Sequence, residues 1–107
     1  MPSTKEYLEY VLEQLSEIEE ITYRTMMGEF ILYCKGKIVG GIYDNRLLIK
    51  STDSAKKLLP NGVYELPYEG AKEMLLVDLI EDKQRLKELF EAVSYDLPAP
   101  KRKVKKQ

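Results

Sequence analysis

The chain has 107 residues, 44% of them hydrophobic and 33% charged, with a formal net charge of −1. That is the length of a single domain, and the apolar share is that of a globular protein, so a chain disordered throughout is excluded. With no histidine, no tryptophan and one cysteine, the sequence also excludes Ser-His-Asp and Cys-His catalysis, histidine-ligated zinc and any intramolecular disulfide.

The first residues, Met1-Pro2-Ser3-Thr4-Lys5-Glu6, have neither the basic start nor the apolar run of a signal peptide. No apolar run approaches the roughly 20 residues of a membrane span. The expectation is a cytoplasmic protein that does not enter a membrane. Ser3 or Thr4 is placed to cap a first helix, with Glu6 completing a capping box from Ser3. Tyr7, Leu8, Val11, Leu12, Leu15 and Ile18 then recur at the spacing of one helical face. Glu6, Glu9, Glu13 and Glu17 line the other side, as a solvated face or as a docking stripe for a basic partner.

From Ile21 the pattern changes to short β-rich segments. Ile21 to Met27 ends at Gly28, which suits a turn or bulge. Phe30-Ile31-Leu32-Tyr33-Cys34 is a nearly continuous apolar strand closed by Lys35-Gly36-Lys37. Ile38 to Tyr43 is the next, closed by Asp44-Asn45, two residues that tolerate the positive φ of tight hairpins. Leu47-Leu48-Ile49 makes a fourth. Strands joined by such short turns are antiparallel neighbours, so these four form a meander. Cys34 reads as a small buried hydrophobe, because a reactive thiolate needs exposure and a cation facing it, whereas Lys35 points to the opposite face. Gly40 and Gly41 strip side chains from both faces at one level, leaving room for a tightly packed helix or for a ligand or partner notch.

Ser51 or Thr52 caps a short helix from Asp53 to Leu59, stopped by Pro60. Residues 63–70, with two tyrosines, two glutamates and Pro67, read as an extended and partly exposed segment. Met74 to Val77 supplies a fifth strand, and a last helix from about Glu81 to Val93 turns Leu86, Leu89, Phe90 and Val93 inward, with Glu81 and Asp82 at its positive end. The fold class is α+β, an antiparallel meander of four to five strands with an N-terminal and a C-terminal helix against one face.

Charge divides the chain unevenly. Residues 1–97 hold all 18 acidic residues and 12 of the 17 basic ones, a net −6, whereas residues 98–107 carry +5. The expected organisation is one domain over 1–97 and a disordered basic tail over 98–107, where two prolines end the preceding structure. Lys101, Arg102, Lys103, Lys105 and Lys106 form a candidate anion-binding arm for phosphates, an anionic partner or the acidic body itself, or else a solubilising tail. The acidic body argues against nucleic-acid binding over the folded surface.

Catalytic constellations are thin. The glycines match neither a Walker nor a dinucleotide loop, and the acids lack calcium-loop spacing. The expectation is a protein that is not an enzyme and takes no cofactor or metal. Tyrosine is in surplus, eight against two phenylalanines. Because a tyrosine buries its ring and keeps its hydroxyl wet, Tyr33, Tyr43, Tyr64 and Tyr68 form a candidate partner surface, unless each merely edges the core.

The run Arg24-Thr25-Met26-Met27-Gly28-Glu29-Phe30-Ile31-Leu32-Tyr33, then Gly36-Lys37-Ile38-Val39-Gly40-Gly41-Ile42-Tyr43-Asp44-Asn45-Arg46-Leu47-Leu48-Ile49-Lys50, resembles the N-terminal domain of the TfoX/Sxy family of competence regulators. Glu65-Leu66-Pro67-Tyr68-Glu69-Gly70-Ala71-Lys72-Glu73-Met74-Leu75 and the closing Leu97-Pro98-Ala99-Pro100-Lys101 resemble its short, stand-alone members. The likeness runs from about Leu8 to Lys106. It departs where many members read Met-Phe-Gly-Gly, since this chain has Met26-Met27-Gly28-Glu29. The resemblance implies the family's α+β fold and no catalytic residues. Longer members carry a second, C-terminal domain and are associated with activating DNA-uptake genes alongside the cyclic-AMP receptor protein. The functional expectation is a regulatory domain working by protein–protein contact, linked to transcription. The alternative is weak, non-specific nucleic-acid binding through the tail. A homodimer is the further expectation, because an open sheet edge invites pairing.

Overall fold

Three two-residue turns organise the part of the chain that the computed structural model describes, residues 3–98. β1 (Ile21–Met26), β2 (Glu29–Cys34), β3 (Lys37–Tyr43) and β4 (Arg46–Ile49) are joined by Met27-Gly28, Lys35-Gly36 and Asp44-Asn45. All six turn residues have positive φ, between 54° and 84°. Two consecutive left-handed residues give a turn whose twist matches that of the strands, so each connection produces an antiparallel hairpin.

The sheet has six strands in the order β1-β2-β3-β4-β6-β5, antiparallel throughout. The expected meander and fifth strand are both present, the latter as β6 (Met74–Leu76) beside β4. The expected count of four to five is corrected by β5 (Tyr64–Glu65), which pairs with the far side of β6. A two-residue strand has no periodicity to read. It exists because the chain doubles back through Gly70, at φ 89°, and sets Glu65 opposite Met74.

α1 (Lys5–Gln14) is capped by Thr4, whose hydroxyl accepts from the Tyr7 N–H at 3.1 Å. The capping box from Ser3 does not form. The Ser3 hydroxyl instead donates to Glu29 Oε1 at 2.7 Å and accepts from the Asn45 N–H at 3.0 Å, tying the helix entry to two hairpin turns. The helix stops before the apolar spacing does. Leu15 and Ile18 are carried by tight turns after it and remain buried. α2 (Asp53–Leu58) is capped by Thr52. α3 (Lys83–Asp96) is capped by Asp82, which accepts from the Arg85 N–H at 3.1 Å, so the helix begins later and runs further than its apolar spacing alone suggests. Its last turn holds no basic residue. Lys37 supplies the cation from β3, donating through Nζ to the carbonyls of Ser94 at 2.9 Å and Leu97 at 3.1 Å.

One face of the sheet carries the core. Phe30, Leu32, Cys34, Val39, Ile42, Leu47, Ile49 and Leu75 form a single cluster with Leu8 and Val11 of α1, Ala55 of α2, and Leu86, Leu89, Phe90 and Val93 of α3. Each large side chain buried there contributes about 1.5–3 kcal/mol. Cys34 is fully buried among them, and that burial pushes its thiol pKa up, as expected of a structural cysteine. Among the described residues no helix is long and apolar enough to cross a membrane. The basic residues Lys101, Arg102, Lys103, Lys105 and Lys106 lie outside the described residues.

Candidate functional site

The opposite, outer face carries Ile31, Tyr33, Ile38, Gly41, Tyr43, Arg46, Leu48 and Met74, as the strand register fixes. Tyr43 and Leu48 are buried there but do not belong to the core cluster. Residues 66–73 lie across them. The Arg46 guanidinium pins this segment by pairing with the Glu65 carboxylate and donating to the Leu66 carbonyl at 3.2 Å. Pro67 is buried, and the Tyr68 ring packs against Tyr43 with centroids 6.2 Å apart.

The glycine pair explains the seat of Tyr43. A Cβ on Gly41 would lie 2.7 Å from both Tyr43 Cε2 and the Phe30 carbonyl oxygen, so the tyrosine ring occupies the space that the glycine vacates. A Cβ on Gly40 would run into the Leu48 carbonyl oxygen and lie 2.9 Å from the Ile49 Cα, inside the neighbouring strand. The helix of the first expectation is therefore replaced by these nearer neighbours, while Gly40 also lines the cavity described next. One glycine admits a neighbouring backbone and the other an aromatic ring from its own strand. The buried Tyr43 phenol has its pKa raised, mainly by desolvation and also by Tyr68 and Glu29, so it stays protonated at neutral pH.

Beside this stack lies a cavity of about 500 Å³, lined by Ile38, Gly40, Tyr43, Met74, residues 50–52, Pro67, Tyr68 and residues 71–72. Lys50 and Lys72 are its charged side chains, and it holds no carboxylate. A second hollow of about 280 Å³ shares Ile38 and Lys50 and adds Tyr33, Gly36, Lys37, Leu97 and Pro98. A wider concavity, about 960 Å³, lies between Tyr10 and residues 78–85, where Asp78, Glu81 and Asp82 offset Lys83 and Arg85. Two of its residues are already employed, Asp82 as a helix cap and Lys83 in an ion pair with Glu13 at 3.8 Å. The smaller cavity, whose charged lining residues are of one sign, is the better site for a charged ligand. Among the described residues no group of three or more His, Cys, Asp and Glu is placed to hold a metal ion.

Of the four tyrosines read from the sequence, Tyr43 and Tyr68 are brought together, and Tyr33 lies on the same face in the adjoining hollow. Tyr64 does not join them. It pairs with Leu75, a core-face residue, and so projects from the other side of the sheet. The sequence reading missed Lys50 and Lys72, whose only local signal is that each flanks a turn. The five tail residues fall outside the described part of the chain.

The family model described as the TfoX N-terminal domain matches residues 13–94. A 12.7 kDa protein of the trpE 5′ region of Spirochaeta aurantia, itself uncharacterized, is 35% identical over 102 residues, covering 94% of this chain and 89% of the relative. No solved structure matches the chain.

Proposed function

The chain belongs to the TfoX N-terminal domain family, and from that premise we propose that it is a cytoplasmic, non-catalytic regulatory domain that acts by protein–protein contact in the control of transcription. The observation that carries this reading is the outer sheet face, which no helix covers among the described residues and which presents Tyr33, Ile38 and Tyr68 around the buried Tyr43. Half-exposed tyrosines on a rigid sheet lose little side-chain entropy on contact and suit an interface. Tyr33, Tyr43 and Tyr68 form the contact surface; Tyr64, on the other side of the sheet, is not part of it.

RNA sequencing of a strain lacking the protein tests the reading. A defined set of transcripts changes, the native chain restores it, and a folded Tyr33→Ala/Tyr68→Ala chain does not. An unchanged profile removes the link to transcription, and full restoration by the variant removes the surface. The proposal includes a homodimer built by pairing β1 with its copy, since β1 is an edge strand whose Tyr23 and Met26 are exposed. Light scattering behind a sizing column gives twice the chain mass if so, and the monomer mass if not.

A second reading rests on the five basic residues at 101–106 beside a body of −6. Five neutralised phosphates give a log–log salt slope of about −4.5 on duplex DNA. Replacing the five by glutamine abolishes that binding. Binding that ignores salt or survives the replacement ends the reading.

A further inference from the structure

The cavity on the outer face combines features that the partner reading does not use. Its charged side chains are two lysines, on a domain body whose net charge is −6. Neither Lys50 nor Lys72 has a carboxylate within ion-pair distance among the described residues. By contrast, Lys37 is spent on helix carbonyls and Lys83, in the other concavity, on Glu13. Two unpaired cations lining one hollow, Lys50 half-buried and Lys72 exposed, give it a positive potential that an anion would neutralise.

The second observation concerns Tyr43. It is 9% exposed and lines the cavity, yet its hydroxyl has no hydrogen-bond partner among the described residues. Among the described residues no buried side-chain polar atom lacks a partner, so this hydroxyl is reached by water at the cavity wall, where a ligand can take that water's place. The remaining walls are mostly apolar, with Ser51 and Thr52 at one side. Pro67, Met74, Ile38 and the Tyr68 ring offer surfaces for a planar group rather than for a hydrated ion. A concave site with mostly apolar walls and a few convergent polar groups is the usual form of a small-molecule site.

We propose that this cavity binds a compact aromatic anion, with Lys50 and Lys72 taking the carboxylate or phosphate, the Tyr43 hydroxyl donating to it, and the ring lying against Tyr68 and Met74. The site shares Tyr43 and Tyr68 with the partner surface but depends on Lys50 and Lys72, which that reading does not use. If ligand binding is found and no protein partner is, the partner reading fails alone.

The test is a titration of the ¹⁵N-labelled full chain, followed by amide chemical shifts, with phenyl phosphate, benzoate, inorganic phosphate and benzyl alcohol. The two aromatic anions produce saturable shifts at Ile38, Ser51, Thr52, Tyr68 and Lys72, with a Kd of about 1 mM for ligands of this size. Whichever binds tighter identifies the headgroup. Inorganic phosphate, which lacks the ring, and benzyl alcohol, which lacks the charge, bind about tenfold more weakly or not at all. The Lys50→Gln/Lys72→Gln chain weakens the aromatic anions about tenfold while keeping its amide spectrum elsewhere. Ala71→Glu, which places a carboxylate in the wall, does the same without removing a lysine. Shifts scattered outside the cavity, equal shifts from benzyl alcohol, or affinity unchanged in both variants would each overturn the proposal.

Discussion

On the core face of the sheet, Leu32, Ile42 and Ile49 lie beneath helices that bring their own leucines and Phe90. On the outer face, Tyr43 and Leu48 lie beneath an irregular segment held by an arginine, a proline and a tyrosine. The strands are the same, since alternation along each sends successive side chains to opposite faces. The covers differ in kind. A helix satisfies its own backbone and excludes water along its length. Residues 66–73 make few backbone hydrogen bonds of their own, so they cover two residues and leave a cavity beside them. The packed core lies on one side of the sheet and the proposed binding surface on the other.

Truncation measures the contrast directly. Phe90→Ala removes a fully buried ring from the core and lowers stability by about 3–5 kcal/mol. Urea unfolding reads the loss, and the buried Cys34 thiol becomes open to a disulfide reagent at correspondingly lower urea. Tyr68→Ala, on a side chain 60% exposed, costs about 1 kcal/mol or less in the same assay. Equal losses at the two sites would mean that the outer face is a second core.

The glycine pair gives the next largest effect and joins the two faces. Gly40→Ala drives a Cβ into the β4 backbone, so the β3–β4 register must yield, at about 1–3 kcal/mol. Gly41→Ala meets a ring edge as well as a carbonyl. In a Tyr43→Ala background the part of its cost due to the ring disappears, and a double-mutant cycle reads that part. Strict additivity would show that the ring does not sit over the glycine in solution.

What the sequence revealed follows the range of the interactions involved. The meander was legible because hairpins are local: residues such as Gly28, Gly36 and Asn45 announce left-handed turns, and short turns leave one pairing. The core side chains of α3 were legible from period alone. Three features were not. β5 exists only because Glu65 finds Met74, the Ser3 hydroxyl is drawn away from its helix by Glu29 and Asn45, and the cavity needs Lys50 and Lys72 brought together over the sheet. Each depends on partners distant in the chain, and no local spacing encodes them. The tyrosine reading was partly legible for the same reason. Surplus suggests a surface, but which face each ring takes is a matter of register, and register sends Tyr64 away from Tyr43.

Between the faces stands the pinning pair. Arg46 and Glu65 are each about one-third exposed, their side chains at 29% and 31%, so solvent screens much of their attraction. Glu65→Gln accordingly changes global stability by less than about 1 kcal/mol. Its larger effect is local: amide exchange in residues 66–73 quickens while the core amides keep their protection. If core and outer amides quicken together, the outer cover is not an independent layer.

The smallest effect lies where α3 meets α2. The exposed Asp96 carboxylate accepts from the Ser54 N–H at 2.8 Å, and this bond, with a smaller contribution from the Ser54 hydroxyl, holds its pKa below the usual aspartate value. A carboxyl whose folded pKa is depressed adds stability above the unfolded pKa, about 3.9, and loses it as pH falls through the lower folded value. Asp96→Asn therefore lowers the melting temperature slightly at pH 6, and the gap to the native chain closes as the pH drops below about 4. Thermal melts of both chains across that range check the sign. A gap that does not change with pH would assign the effect to the lost acceptor geometry rather than to the charge, and would leave α2 joined to α3 by packing alone.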